Sequence, residues 1–358
     1  MTRLNSTALI HALSTSLLLN PNLTFKENWF PPPALDSRAY DVKPISLLDY
    51  ERACTALKVQ YQNLSDADTR KRPGDLRFIH IPKNGGASIE TAVFDDADKF
   101  GPFVRRPMDP RFRDLLCAKS RKEGAPLRPL CTCSFWHVPP SFIPAGASAF
   151  ADHRTFCVVR DPLDRALSEY KMRFAARKGA VGKSGAKRRN NVAMAERYLV
   201  EHLPAQLANR SKDKRGGGTW SQDCHLAPQY LYVWKHDKEP EEQENATKGP
   251  PRSHRRVCHD VIRYSPTHFE EAFDALMAQR KQQQSRLWHR HPQHLHMRGP
   301  PHTHHTETNI SAARISTRVA VAVRLLYWKD TCLLGYDLKT GRPLLEGAAT
   351  SSILVSSL

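Results

Sequence analysis

The chain has 358 residues, and its 54 lysines and arginines against 36 acidic residues give a net charge of +18. That length holds one large domain or two small ones, with a sizeable core. Mean hydropathy is −0.56, and no apolar run reaches the ~18 residues of a membrane-spanning helix, which excludes a protein built from such helices. A field this positive draws in polyanions: nucleic acid, anionic glycans or a phosphorylated small molecule.

In chain order, residues 1–45 contain Pro31-Pro32-Pro33 and mixed polar residues and read as a leader or flexible stem. Within them, Ala8–Leu19 behind Arg3 is compatible with a degenerate signal peptide. Leu47, Leu48, Tyr50, Ala53, Leu57 and Tyr61 are spaced for a peripheral helix over residues 46–66. The sequence thus divides into residues 1–70 (leader and peripheral helix), a main domain at 71–345, and a tail at 346–358. Phe78–Ile81 is predicted as the first strand, Ser88–Phe94 as the helix after it, and Phe156–Val159 as the next central strand. Asp161 and Pro162 are suited to the cap and first position of a helix. Its apolar face is Leu163, Ala166, Leu167, Tyr170 and Phe174. A helix is predicted from Val192 to Leu203, strands at 229–234 and 257–264, and a helix from Phe269 to Arg280. Insertions fall at 177–190, 235–256 and 281–308. The last holds seven histidines (His289, His291, His294, His296, His302, His304 and His305), irregularly spaced beside prolines, as expected of a low-complexity segment that binds transition metals adventitiously. Strands alternating with helices predict an α/β fold with a parallel sheet and ligands at the carboxyl edge.

Two segments carry the chemistry. In the first, the strand Arg77-Phe78-Ile79-His80-Ile81 enters Pro82-Lys83-Asn84-Gly85-Gly86-Ala87-Ser88. Backbone N–H groups freed by the glycines, a helix N-terminus and the Lys83 ammonium suit one phosphate-sized anion. In the second, Thr155–Val159 leads to Arg160-Asp161-Pro162, with Ser168 eight residues beyond the arginine. A guanidinium at a strand end and a hydroxyl on the following helix suit a second phosphate. Two anion grips imply a ligand with two separated phosphate groups.

Together these segments resemble the 5′-phosphosulfate and 3′-phosphate motifs of carbohydrate sulfotransferases that use PAPS (3′-phosphoadenylyl sulfate). Weaker echoes are Trp136-His137-Val138-Pro139, His225-Leu226-Ala227-Pro228-Gln229-Tyr230, Tyr327–Asp330 and Leu334–Tyr336, so the likeness covers about residues 74–340. The resemblance implies a three-layer sandwich around a central parallel sheet, the P-loop-kinase-like sulfotransferase fold. It implies PAPS as donor with no metal required, and a glycan hydroxyl, anionic or neutral, as acceptor. Lys83, Asn84, Gly85, Gly86, Ala87 and Ser88 match the family's 5′-phosphosulfate loop, and Arg160 and Ser168 its 3′-phosphate site. Lys83 matches the lysine that meets the leaving oxygen. His137 falls near the family's histidine base; His225 and Glu90 are the alternatives. Members usually carry an N-terminal signal anchor, which is not evident here. The Golgi lumen is the implied compartment, with the cytoplasm as the alternative.

Other residues bear on rival readings. A P-loop kinase places its lysine after the last glycine, whereas Lys83 precedes both glycines and no acidic magnesium ligand is evident. A non-enzymatic binder of glycan or nucleic acid accounts for the basic runs but leaves both phosphate grips unexplained, and no nucleic-acid motif is present. Six of the 11 asparagines (Asn5, Asn22, Asn63, Asn209, Asn245 and Asn309) begin Asn-x-Ser/Thr sequons, where roughly one is expected by chance, which favours a secretory lumen. Eight cysteines suit disulfides. Cys224 is expected to pair with Cys258, and Cys157 to be a buried thiol. Cys131-Thr132-Cys133 lacks the second pair that a zinc site needs.

Overall fold

The computed structural model describes residues 45–62, 76–86, 89, 114, 117, 131, 133–143, 148, 150, 153–175, 191–208, 220, 223–235, 255–265, 269–285, 310–344 and 353–354. Ala87, Ser88, Glu90, the six sequon asparagines and the seven histidines from His289 to His305 lie outside them. The first elements are α1 (Leu47–Gln62), β1 (Leu76–Ile79), β2 (Arg154–Val159) and α2 (Pro162–Ala175). Next come α3 (Val192–Arg197), a π-helical stretch (Tyr198–His202) and α4 (Leu203–Ala208). They are followed by α5 (Tyr230–Val233), β3 (Trp234–Lys235), β4 (Arg255–Arg256) and β5 (Asp260–Arg263). The chain finishes with α6 (Phe269–Ser285), α7 (Thr317–Leu326), α8 (Trp328–Leu333) and β6 (Ile353–Leu354). They belong to an α/β chain of two compact units: Met1–Leu57, Asp161–Ser221 and Thr306–Arg342 in the first, and Lys58–Arg160, Gln222–His305 and Pro343–Leu358 in the second.

The second unit contains the sheet, ordered β1-β2-β5-β6. The first three strands are parallel, with Leu76 beside Arg154 and Phe156 beside Asp260. β6, from the predicted tail, pairs antiparallel on the β5 edge. β1 is buried at all four positions and β2 from Thr155 to Val159, as expected where parallel strands are covered on both faces and alternation disappears. Phe269, Ala272, Phe273 and Leu276 of α6, at i, i+3, i+4 and i+7, pack on Leu76, Phe78, Phe156, Val158 and Ile262. Rings of Phe78 and Phe156 stand 5.0 Å apart and those of Phe156 and Phe273 6.0 Å. At the β2–β5 junction, the Arg154 Nε and Nη2 donate to both oxygens of buried Asp260 at 2.7 and 2.8 Å.

The first unit is helical. α2 packs through Leu163, Ala166, Leu167 and Tyr170, all buried, and Tyr170 meets Tyr198 with 5.4 Å between ring centres. The helix predicted from Val192 extends to Ala208 through the π-helical stretch. Pro204 has no N–H to return to the preceding turn, and the wider coil just before it absorbs the lost bond. A buried ion pair organises the unit: Arg324 Nε and Nη2 donate to Asp161 at 2.9 and 2.8 Å, and Arg324 Nη1 donates to the Leu338 and Lys339 carbonyls. Burial pushes the Asp161 carboxyl up, against the opposing pull of Arg324. Gly341, at φ 69°, leaves room for this pair, because a Cβ there would overlap the guanidinium.

Three expectations are overturned. Residues 230–233 form a helical turn rather than a strand, and only Trp234–Lys235 extend. Tyr230, Leu231, Tyr232 and Val233 are all buried, and a short apolar run buried all round has no period that separates helix from strand. Cys224 does not pair with Cys258, and Cys157 is not a thiol. The bonds are Cys133–Cys224 and Cys157–Cys258, with Cys54–Cys332 and Cys117–Cys131 completing the set. Cys157 lies on β2 and Cys258 two residues before its neighbour β5, so the bond joins the segments of two adjacent parallel strands. Four disulfides are compatible with an oxidising, secretory setting. Among the described residues no helix is long and apolar enough to cross a membrane.

The Asp161–Arg324 pair yields a test. Asp161→Ala strands a buried guanidinium and is expected to cost about 3–5 kcal/mol in denaturant unfolding. Adding Arg324→Met should recover much of that loss, because both charges then leave the interior together.

Candidate functional site

β1 ends at Ile79, and His80 and Ile81 carry the chain into the turn Pro82–Gly86. Lys83 and Gly85 both take left-handed backbone, at φ 70° and 87°. Glycine adopts that region freely, whereas for lysine it costs roughly 1–2 kcal/mol. Such a conformation persists only where neighbours over-determine it. Here the neighbour is Asn84, fully buried. Its Nδ2 donates to the Val158 carbonyl of β2 at 2.8 Å and to Gln229 Oε1 at 2.7 Å.

Gln229 completes the tie. Its Oε1 also accepts from the Arg160 backbone N–H at 2.9 Å, and its Nε2 donates to the Arg160 carbonyl at 2.8 Å. One side-chain amide therefore fixes both backbone groups of the residue after β2 and holds the turn after β1. A second tie runs through Tyr264, at the end of β5. The Arg160 guanidinium stands 4.5 Å from the centre of its ring, and a Cβ at Gly85 would come within 3.3 Å of the same ring. Arg160 Nε is buried with no hydrogen-bond partner among the described residues. A buried donor left unsatisfied costs about 1–3 kcal/mol, which an incoming acceptor such as a phosphate oxygen would recover.

The histidines form the other half of the site. The His80 ring lies against Gly86, where a Cβ would clash with it, and meets His137 edge-on at 5.0 Å between ring centres. His137, in a 3-10 turn (Phe135–His137), meets His225 at 4.9 Å. Its Nδ1 is 2.8 Å from Asp223 Oδ2, and its carbonyl accepts from the Tyr232 hydroxyl at 2.7 Å. Asp223 Oδ1 accepts from the Ser134 backbone N–H. Burial alone would raise the Asp223 carboxyl; hydrogen bonds from His137 and Ser134 outweigh it and hold the pKa below the usual value. The carboxylate is thus ionised at neutral pH, occupies one imidazole nitrogen, and leaves Nε2 as the nitrogen for proton transfer. Asp223 and Cys224 are both left-handed, at φ 58° and 62°. The Cys133–Cys224 disulfide and the two bonds to Asp223 pin this strained turn beside Phe135–His137.

Of the residues singled out in the sequence, Lys83, Asn84, Gly85, Gly86, Arg160 and His137 belong to the second unit; all but Lys83, which shares the turn of Asn84 and Gly85, are joined by the contacts above. Asn84 serves there as a structural tie through its side chain. His225 stands next to His137. Ser168, on α2, is part of the first unit. Ala87, Ser88 and Glu90 lie outside the described residues. The sequence reading did not identify His80, Asp223, Gln229 or Tyr264 as parts of the site. Gln229 and His225 stood in one recognised echo, but nothing in a linear pattern tells which amide reaches back to Asn84. Asp223, between a cysteine and a low-complexity run, carried no signal beyond its nearness to Cys224 and His225.

Gln229→Leu roughly keeps the volume and removes three hydrogen bonds, leaving the buried Asn84 amide short of a partner. Expected is a loss of about 1–3 kcal/mol in thermal or denaturant unfolding. Compared with protein-family models, with curated proteins and with solved structures, the chain finds no match.

Proposed function

We propose that this protein is a sulfotransferase, moving a sulfuryl group from PAPS to a hydroxyl of a glycan on a P-loop-kinase-like sulfotransferase fold. The observation that carries the reading is the run of contacts Gly86–His80–His137–Asp223. It joins a glycine-lysine turn at a parallel strand end to a carboxylate-oriented histidine. Sulfuryl transfer is an in-line displacement in which positioning and charge neutralisation dominate. It needs a cationic group at the leaving oxygen and a base at the acceptor, and the two motifs with this histidine supply both.

The fit to the donor rests on the turn and on Arg160. Backbone N–H groups of a left-handed turn form an anion-binding concavity, and Lys83 lies within that turn. The buried Arg160 Nε, with no hydrogen-bond partner among the described residues, suits a phosphate oxygen; the guanidinium's attachment to Tyr264 fixes its plane. Ser168 and Ser88 are the hydroxyls that the family pattern adds to these grips. PAPS, when bound, supplies the activated sulfuryl group. His137 removes the acceptor proton through Nε2, and Asp223 holds the ring and stabilises the imidazolium that results.

Net charge, sequons and disulfides agree with a glycan acceptor and with the Golgi lumen. The basic runs favour anionic acceptors by long-range attraction, which falls as salt rises. The alternative of a basic binding protein predicts polyanion binding that survives loss of Lys83 and Arg160.

Two measurements test the proposal. Lys83→Ala and Arg160→Ala should each abolish the thermal shift produced by PAP, the desulfated donor; binding left intact in both counts against the donor site. In labelled-sulfate transfer to a glycan panel, His137→Ala should lose at least 100-fold in kcat with PAP affinity retained. Asp223→Asn should lose about 10-fold or more in kcat at unchanged PAP affinity, since it removes the charge that orients the base and stabilises its imidazolium without touching the donor grips. Transfer to no acceptor, together with no PAP shift in the parent protein, sinks the assignment.

A further inference from the structure

From the same histidine cluster we infer a second capacity: His137, Asp223 and His225 form a binding site for a Zn2+-class transition-metal ion. One nitrogen from each imidazole and one oxygen of the carboxylate all lie within 4.8 Å of one another. Around a tetrahedral ion with bonds of about 2.0–2.2 Å, donor atoms stand roughly 3.3 Å apart. Closure therefore needs movements of at most about 1.5 Å, within reach of rings turning about their side-chain torsions.

Three features make this a built cluster rather than a chance meeting of side chains. Asp223 and His225 flank Cys224, and both Asp223 and Cys224 hold left-handed backbone that ordinary residues avoid. The Cys133–Cys224 disulfide ties that turn to the segment bearing His137. Outer contacts are also in place: Ser134 N–H on Asp223, the Tyr232 hydroxyl on the His137 carbonyl, and the His80 ring against His137. The Ser134 bond to the carboxylate is of the ligand-supporting kind that tunes protein metal sites, and the other two contacts position His137. Two imidazoles and a carboxylate select Zn2+, Co2+ or Ni2+ over Mg2+ and Ca2+, which prefer all-oxygen shells. Three protein donors leave a fourth position for water.

Binding through His137 Nδ1 replaces its hydrogen bond to Asp223, and any proton held between them leaves to solvent. The consequence for sulfuryl transfer, that bound metal takes the base out of service, rests on the function proposed above. The occupancy itself does not.

The seven histidines of residues 289–305 would mask the site, so the test uses the full chain with all seven changed, His→Gln. In that background, titration with Zn2+ by calorimetry should give one tight equivalent, and Co2+ should give visible d–d absorption of a nitrogen- and oxygen-ligated ion. His225→Gln and Asp223→Asn should each weaken Zn2+ binding at least 10-fold and remove the Co2+ band, while far-ultraviolet circular dichroism without metal stays that of the parent. No stoichiometric binding in the histidine-replaced chain overturns the site, as does binding indifferent to His225→Gln and Asp223→Asn. Because the readout is metal binding, it stands whether or not the chain transfers sulfate.

Discussion

The loops at the ends of β1 and β2 depend on one side-chain amide. Gln229 accepts from Asn84 and from the Arg160 N–H and donates to the Arg160 carbonyl. Without it, the turn containing a left-handed lysine would keep only the Asn84 bond to Val158 and the ring contacts of Tyr264 and His80. Parallel strands place their carboxyl ends side by side but do not fix the loops that follow. In this chain an amide from a distant segment, buried and fully engaged, does that. Low dielectric strengthens each bond in such a network and penalises each partial one, so the three residues act as a unit.

The triplet Arg160-Asp161-Pro162 shows how neighbouring residues can serve different ends. Arg160 belongs to the second unit, where its guanidinium lies over Tyr264. Asp161 belongs to the first, where it is buried against Arg324 while its helix begins at Pro162. Proline sets the first turn of α2, and aspartate anchors it through a charge pair as well as a cap. A motif read as a phosphate grip thus also carries a structural duty, borne by its second and third residues.

Much of the backbone was legible because apolar periods and breakers are local. Phe156–Val159, the start of α2 and the apolar stripe of α6 all follow from short-range pattern, and β1, β2 and β5 lie near expected strands, whereas β4 and β6 fall where an insertion and a tail were expected. Residues 230–233 were not legible: four buried side chains in a row erase the period. Disulfide pairing was not legible either, since Cys258 lies closer in sequence to Cys224 but closer in space to β2. In the site, Lys83, Gly85, Gly86, Arg160 and His137 announce themselves by chemistry beside a strand end or a proline. His80, Asp223, Gln229 and Tyr264 do not, because their importance is a matter of whom they touch across long stretches of sequence.

Cys131 and Cys133 are separated by one residue yet bond to different segments, Cys117 and Cys224. An exchange of these two partners would slide the segment ahead of His137 by two positions against the turn bearing Asp223, about 6–7 Å of extended chain. No thiol remains among the described cysteines to signal such an error. Oxidative folding of this chain is therefore a proofreading problem. A mispaired isomer would keep mass, charge and much of its hydrophobic core while losing the histidine–carboxylate contact. Reaching the native pairing from such an isomer would take disulfide reshuffling, not further oxidation.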